Sequence, residues 1–226
     1  MTKTNQQKVK DFLINNGVII VMFILVIYTG FTSDNFFTKN NFMNILMNMS
    51  SRLVIALGIA GCVITAGCDL SAGRMIGFGA CISGMLLQRM DYSGKFFPDM
   101  QPLNVFVVAL IAMLVCAAFG TVTGFFIAYL NVPPFIATLA MMEIVYGIGL
   151  IVTNATPLGG YVEQYTNVSN GKFLGINYLI WIAIIVAAIT WFIFNMTRHG
   201  KYMYAIGGNP QAAEVAGVPV LSLIHI

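Results

Sequence analysis

Charge is the scarcest property of this sequence. Only 8% of its 226 residues are Asp, Glu, Lys or Arg, against about 25% in an ordinary soluble domain. So few charges cannot solvate the surface of a soluble fold of this size, which excludes a soluble enzyme, a disordered region and a nucleic-acid-binding module. The net charge of +3 is too small to point to a polyanionic partner. Cysteine and histidine are also sparse. Cys62, Cys68, Cys81 and Cys116 stand in apolar stretches without CxxC or Cys/His ligand spacing, and His199 and His225 lie far from them in the chain. Zinc and disulfide readings therefore have little support, and the cysteines read as small packing residues. Hydrolytic motifs are missing too: there is no HExxH, no GxSxG, no phosphate-binding loop and no intramembrane aspartate pair. The sequence thus reads as a non-enzyme, with no cofactor or metal of its own.

What is abundant is apolar. Hydrophobic residues make up 58% of the chain and the mean hydropathy is +0.85. The expected fold class is all-α, a polytopic transmembrane helix bundle. Uncharged runs of this length, without outer-membrane-type alternation, mean helices, because a helix satisfies its own backbone in lipid. Six are expected, near residues 17–31, 42–67, 70–88, 104–130, 135–152 and 177–195. The N-terminus resembles a signal peptide in its Lys3, Lys8 and Lys10 followed by an apolar run. However, Thr29-Gly30-Phe31-Thr32-Ser33 makes a poor cleavage site, so an uncleaved first helix is expected. Asn131-Val132-Pro133-Pro134 breaks the pattern between the fourth and fifth helices. Trp181 and Trp191 stand near the ends of the sixth, as an aromatic belt would.

Lys and Arg set the expected orientation. A cytoplasmic N-terminus, residues 1–16, puts Lys3, Lys8, Lys10, Arg74, Arg198 and Lys201 inside. Lys39, Arg89, Lys95 and Lys172 then lie outside, on loops that include Met90 to Leu103 and Asn154 to Ile176. Small residues recur at four-residue spacing as Gly73, Gly77 and Cys81, and again as Cys116, Gly120, Gly124 and Ala128. Such ridges let helices approach closely in lipid.

Polar groups within these spans call for a reason, since an ionised side chain at mid-bilayer costs about 2.5–3.5 kcal/mol on insertion scales. Glu143 lies well inside the fifth helix, either in an interhelical hydrogen bond or on a transport path. Asp69 and Arg74 flank the turn between helices two and three, where Asp69 or Ser71 is expected to cap helix three. Asn44 and Asn48 share a helical face. Asn44, Asn48, Asp69, Ser71, Arg74 and Glu143 form the candidate substrate path, although each also fits a purely structural role.

After the last helix comes the polar segment 197–220. Gly207-Gly208-Asn209-Pro210 reads as a turn, with Asn209 capping a short helix, Pro210 at its first position, and Gly217 ending it. Such a helix suits docking into a partner's cleft, and equally suits a solvated loop.

Three stretches together resemble a known family: Ala66-Gly67-Cys68-Asp69-Leu70-Ser71-Ala72-Gly73-Arg74, Asn131-Val132-Pro133-Pro134-Phe135-Ile136-Ala137-Thr138-Leu139 and Ala205-Ile206-Gly207-Gly208-Asn209-Pro210-Gln211-Ala212-Ala213. They resemble the sugar branch of the ribose and branched-chain amino-acid ABC importer permeases, and most of all its galactoside members. The resemblance implies a multi-pass permease subunit of the bacterial inner membrane that forms a homodimer. A cytoplasmic ATPase subunit would use the ATP, and a periplasmic sugar-binding protein would deliver substrate to the outer loops. It also implies an ATPase-coupling loop at 197–220 built on Ala205, Gly207, Gly208, Asn209, Pro210, Ala213, Glu214 and Gly217. Ribose permeases and a non-transporting scaffold or sensor subunit are the alternative readings. An ion-coupled carrier fits poorly with the single clear acid, Glu143. Family members continue with more helices, so the expectation is a truncated product whose residues 221–226 are a non-native end.

Overall fold

The computed structural model describes residues 5–225. Lys3 lies outside them, and the side chains of Lys8, Lys10 and His225 are likewise outside the description. The chain divides into two compact units, residues 1–48 and 49–226. Ten helices and one two-stranded hairpin are found among the described residues.

In the first unit, α1 (Asn5–Thr32) leads through a turn at 33–38 into α2 (Lys39–Ile64), whose residues from Met49 onward belong to the second unit. Helix α1 therefore begins twelve residues before the expected position 17. Nothing in Asn5–Asn16 breaks a helix, since neither proline nor glycine occurs there. The turn is tied by Asn41 Nδ2, which donates to the Phe36 carbonyl at 2.8 Å.

In the second unit, α3 (Ala72–Leu86), α4 (Val105–Tyr129) and α5 (Pro134–Thr153) pack on one another. Their shared core is Phe78, Ile82, Met141 and Val145, against which Ile111, Val115 and Phe119 pack. Asn104 caps α4 by accepting from the Phe106 amide at 2.9 Å. Helix α4 ends at Tyr129, where Asn131 takes a left-handed φ of 54°. Asparagine tolerates that conformation better than most residues. Pro134 then opens α5, where its missing N–H costs nothing. Downstream come α6 (Glu163–Asn170), the hairpin of β1 (Lys172–Phe173) and β2 (Ile176–Asn177), and α7 (Tyr178–Met196). The chain continues through α8 (Arg198–Gly208), α9 (Pro210–Val215) and α10 (Val220–His225).

Five of these helices, α1, α2, α4, α5 and α7, are long and apolar enough to cross a membrane. The third expected span, 70–88, is instead the 15-residue α3. Fifteen residues rise about 22 Å, short of a bilayer core of about 30 Å. Helix α3 begins inside the bundle rather than at its surface. The Arg74 guanidinium lies 4.0 Å from the centre of the Tyr146 ring, and Tyr146 is twelve residues, or about 18 Å, into α5. The Met75 carbonyl faces Cys116 Sγ at 3.6 Å, and Cys116 lies about 20 Å from the α4 end at Tyr129. Arg74 is thus not a loop charge at the inner surface, and it drops out of the expected orientation count.

Candidate functional site

The link between α2 and α3 is an irregular segment, residues 65–71, beside the first turn of α5. Helix α2 closes at Ile64. Ala66 then takes a left-handed φ of 59°, and the Gly67 amide reaches back to the Cys62 carbonyl at 2.8 Å. This is a helix stop of the kind that glycine usually supplies. An alanine in that conformation stores about 1–2 kcal/mol. Three residues after Ala66, Asp69 Oδ1 accepts from both the Ser71 amide (2.8 Å) and the Ser71 hydroxyl (2.6 Å). The carboxylate builds a side-chain turn and does not cap the helix. Ser71 holds the N-cap position in a helical conformation, with no side-chain cap bond. The expected capping by Asp69 or Ser71 is therefore replaced. The serine hydroxyl donates to the aspartate, and the aspartate closes its own short turn.

A cavity lies beside this irregular backbone. The cavity holds about 700 Å³, within the range of roughly 300–1,000 Å³ typical of small-molecule sites. Its wall is Gly58 and Cys62 of α2, the break from Thr65 to Asp69 with Ser71, and Thr121, Thr123 and Gly124 of α4. Ala117, Gly120 and Ile127 of α4, Pro134 and Thr138 of α5 and Ile224 of α10 complete it. Thr138 Oγ donates to the Pro134 carbonyl at 2.8 Å and lies 3.4 Å from the Cys68 carbonyl, tying the break to α5. Thr123 Oγ donates to the Phe119 carbonyl at 3.0 Å. Both hydroxyls can still accept. Gly120 and Gly124 line the cavity, Gly120 with open space where a Cβ would stand, whereas Cys116 meets the Met75 carbonyl of α3 and Ala128 is buried. The small-residue ridge on α4 is thus half interface and half cavity wall.

Of the six expected path residues, the structure brings Asp69 and Ser71 into this wall. Arg74 and Glu143 lie elsewhere in the unit, and both are exposed. Glu143 and Tyr146 are one turn apart on α5, so they share a face, and Arg74 stacks on that face. Among the described residues no hydrogen bond or ion pair reaches Glu143. Asn44 and Asn48 belong to the first unit, where Asn48 Nδ2 donates to the Asn44 carbonyl at 2.9 Å. The threonines at 121, 123 and 138 were not read as site residues from the sequence. Their only signal there was polarity inside otherwise apolar helices.

At the end of the unit where the break begins, α8 and α9 form a compact elbow. The expected Gly207–Pro210 turn is tighter than the sequence suggests: Gly207 and Gly208 close α8, and only Asn209 turns. The physical cause is Pro210, whose ring forces the preceding residue out of the helical region, and Asn209 sits at φ −160° and ψ 104°. Asn209 Oδ1 accepts from the Ala212 amide at 3.0 Å, the expected cap of α9. Gly217 follows with φ +83°, and the Val218 amide returns to the Ala213 carbonyl at 3.0 Å. Ile206, Ala213 and Val218 form the elbow's buried core. Glu214 and Val215 face outward, and Val215 is 92% exposed.

At the other end of the unit, two loops are pinned together. Gln88, 1% exposed, donates to the Gly159 carbonyl at 3.0 Å and accepts from the Phe96 amide at 2.7 Å. The Arg89 amide donates to the Gly160 carbonyl at 2.7 Å. Gly160 has φ +70°, and the Tyr92 ring fills the place a Cβ would take. Burial pushes the Tyr161 phenol above its ordinary value, and its hydroxyl donates to the Leu158 carbonyl at 2.8 Å.

The family model described as "Branched-chain amino acid transport system / permease component" matches residues 41–225. The galactose/methyl galactoside import permease protein MglC of Escherichia coli K12 is 40% identical over 234 residues, covering 100% of this chain and 70% of its own length. Its namesake in Haemophilus influenzae is 40% identical, covering 97% of this chain and 68% of its own. The ribose import permease protein RbsC of E. coli K12 is 31% identical, covering 93% and 63%. No solved structure matches the chain.

Proposed function

Because the chain belongs to the branched-chain amino-acid transport system permease family, we propose that it is the membrane-spanning subunit of an ATP-driven monosaccharide importer, with galactose or a methyl galactoside as substrate. The observation that carries the substrate is the 40% identity to galactose/methyl galactoside permeases across the full chain. It exceeds the 31% to a ribose permease, which keeps ribose as the second reading.

ATP is hydrolysed on a separate cytoplasmic subunit that docks on α8–α9. The capped, outward-facing Pro210–Val215 helix supports this. In the bacterial inner membrane, with the N-terminus cytoplasmic, α8 and α9 lie inside and the pinned loops at 88–103 and 154–162 face a periplasmic sugar-binding protein. A second copy of the chain covers the face carrying Arg74, Tyr146 and Glu143. The polar wall at Asp69, Ser71 and Thr138 suits a polyol, which needs several acceptors and donors at once. Transport proceeds by alternating access: closure of the ATPases moves the α8–α9 elbow, and the helices rearrange around the polar path.

The test is uptake of labelled galactose in cells lacking this gene and redundant galactose carriers. Uptake is expected to fall to background, and excess ribose should not compete in the parent. Unchanged uptake overturns the reading. Competition by ribose but not by methyl galactoside moves it to the second one.

A further inference from the structure

We propose that Gly207 is the positioning residue through which the α8–α9 elbow moves the break between α2 and α3. The inference rests on the reading of that elbow as the ATPase-docking segment. Gly207 sits against the carbonyl oxygen of Ile64, the last residue of α2, so closely that a Cβ would collide with it. The two backbones therefore meet without an intervening side chain. One turn back, a Cβ on Gly61 would meet Met203 Cε of α8 at 2.9 Å, so the contact runs along the final turn of α2. Ile64 is two residues from the left-handed Ala66 and five from Asp69. The Gly67 amide is bonded to the Cys62 carbonyl within the same turn.

Packed backbone is stiff and transmits displacement rather than absorbing it. A shift of α8 thus displaces the end of α2 and, with it, the Asp69–Ser71 turn on the cavity wall. The neighbouring glycine supplies the contrast: Gly208 has nothing within 4 Å of its would-be Cβ and is exposed. Close packing is confined to one glycine of the pair.

The experiment compares Gly207→Ala with Gly208→Ala in the full chain, co-expressed with its ATPase and binding protein. Three quantities are read: ATPase co-purification, ATP hydrolysis, and labelled galactose taken up per ATP. For Gly207→Ala, co-purification and hydrolysis should persist while uptake per ATP falls about tenfold, the scale of an overpacked backbone contact. Gly208→Ala alters the same docking elbow but has nothing against its would-be Cβ, so its uptake per ATP should fall less than that of Gly207→Ala. Unchanged uptake per ATP in Gly207→Ala overturns the proposal, as does an equal loss in Gly208→Ala. If Gly207→Ala fails to insert, Met203→Ala decides, since it loosens the same contact without a clash. A fall in its uptake per ATP supports the proposal and an unchanged ratio overturns it. An ATPase that does not co-purify even with the unaltered chain defeats the docking reading itself, and this proposal with it.

Discussion

Single residues do different amounts of work at the two ends of the second unit. Asn209 supplies one acceptor to an otherwise unpaired amide, and α9 has only six residues with which to compensate. Asn209→Ala should cost about 1 kcal/mol of local stability and speed amide exchange at Ala212 roughly fivefold. Unaltered exchange would show that the cap contributes nothing. Gln88 is the reverse case, buried and satisfied by two backbone partners on different loops. Gln88→Leu leaves the Gly159 carbonyl and the Phe96 amide unpaired, at about 1–3 kcal/mol each. Limited proteolysis should then open the 90–103 and 154–162 loops while membrane insertion persists. Loops that stay resistant would contradict this. The cap at Asn209 was legible in the sequence because it is local. Gln88 was not, because its partners are 71 and 8 residues away.

At the scale of elements, the break between α2 and α3 is the informative feature. Hydropathy divided the region correctly at Gly67–Leu70 but placed the division at a membrane surface. The structure sets α3 deep, since Arg74 and Met75 are level with the middles of α5 and α4. Hydropathy measures how apolar a run is and carries no depth. At the break, charge and shape can be separated. Asp69→Asn keeps the Oδ1 acceptor for Ser71, so the purified protein should melt within a few degrees of the parent. If the Asp69 charge serves transport, galactose uptake falls all the same. Asp69→Ala removes the turn as well and should lower the melting temperature by more, consistent with about 1–3 kcal/mol for the unpaired Ser71 groups. Equal melting of the two variants would mean that the turn is not held by Asp69.

For the whole molecule, the open question is what covers the polar face on α3 and α5. Glu143 is exposed on α5, one of the five helices long and apolar enough to cross a membrane, and Arg74 is exposed on the shorter α3 packed against it; an ionised group in lipid costs about 2.5–3.5 kcal/mol. The face carries one charge of each sign, so two copies related by a two-fold axis can satisfy both, Arg74 of one against Glu143 of the other. The open space beside Gly73, Gly77 and Gly147 gives a second copy room to approach. Arg74→Glu alone and Glu143→Arg alone should each reduce cross-linked dimer in native membranes, and the double reversal should restore it. Dimer that persists in both single variants would move the contact to another face.

Several conclusions follow from the sequence by itself: residence in the membrane, an all-helical fold, both ends of five of the six expected helices to within three residues, the Asn209–Pro210 cap and the family. All of these depend on composition or on neighbours in the chain, and a reader of sequence sees both directly. The tertiary structure alone decided that α3 starts inside the bundle and that Asp69 closes a turn instead of capping a helix. It also placed Arg74 on Tyr146 and set Gly207 against the end of α2. Each of these is a meeting of segments distant along the chain, fixed by how helices pack and not by what any one of them contains.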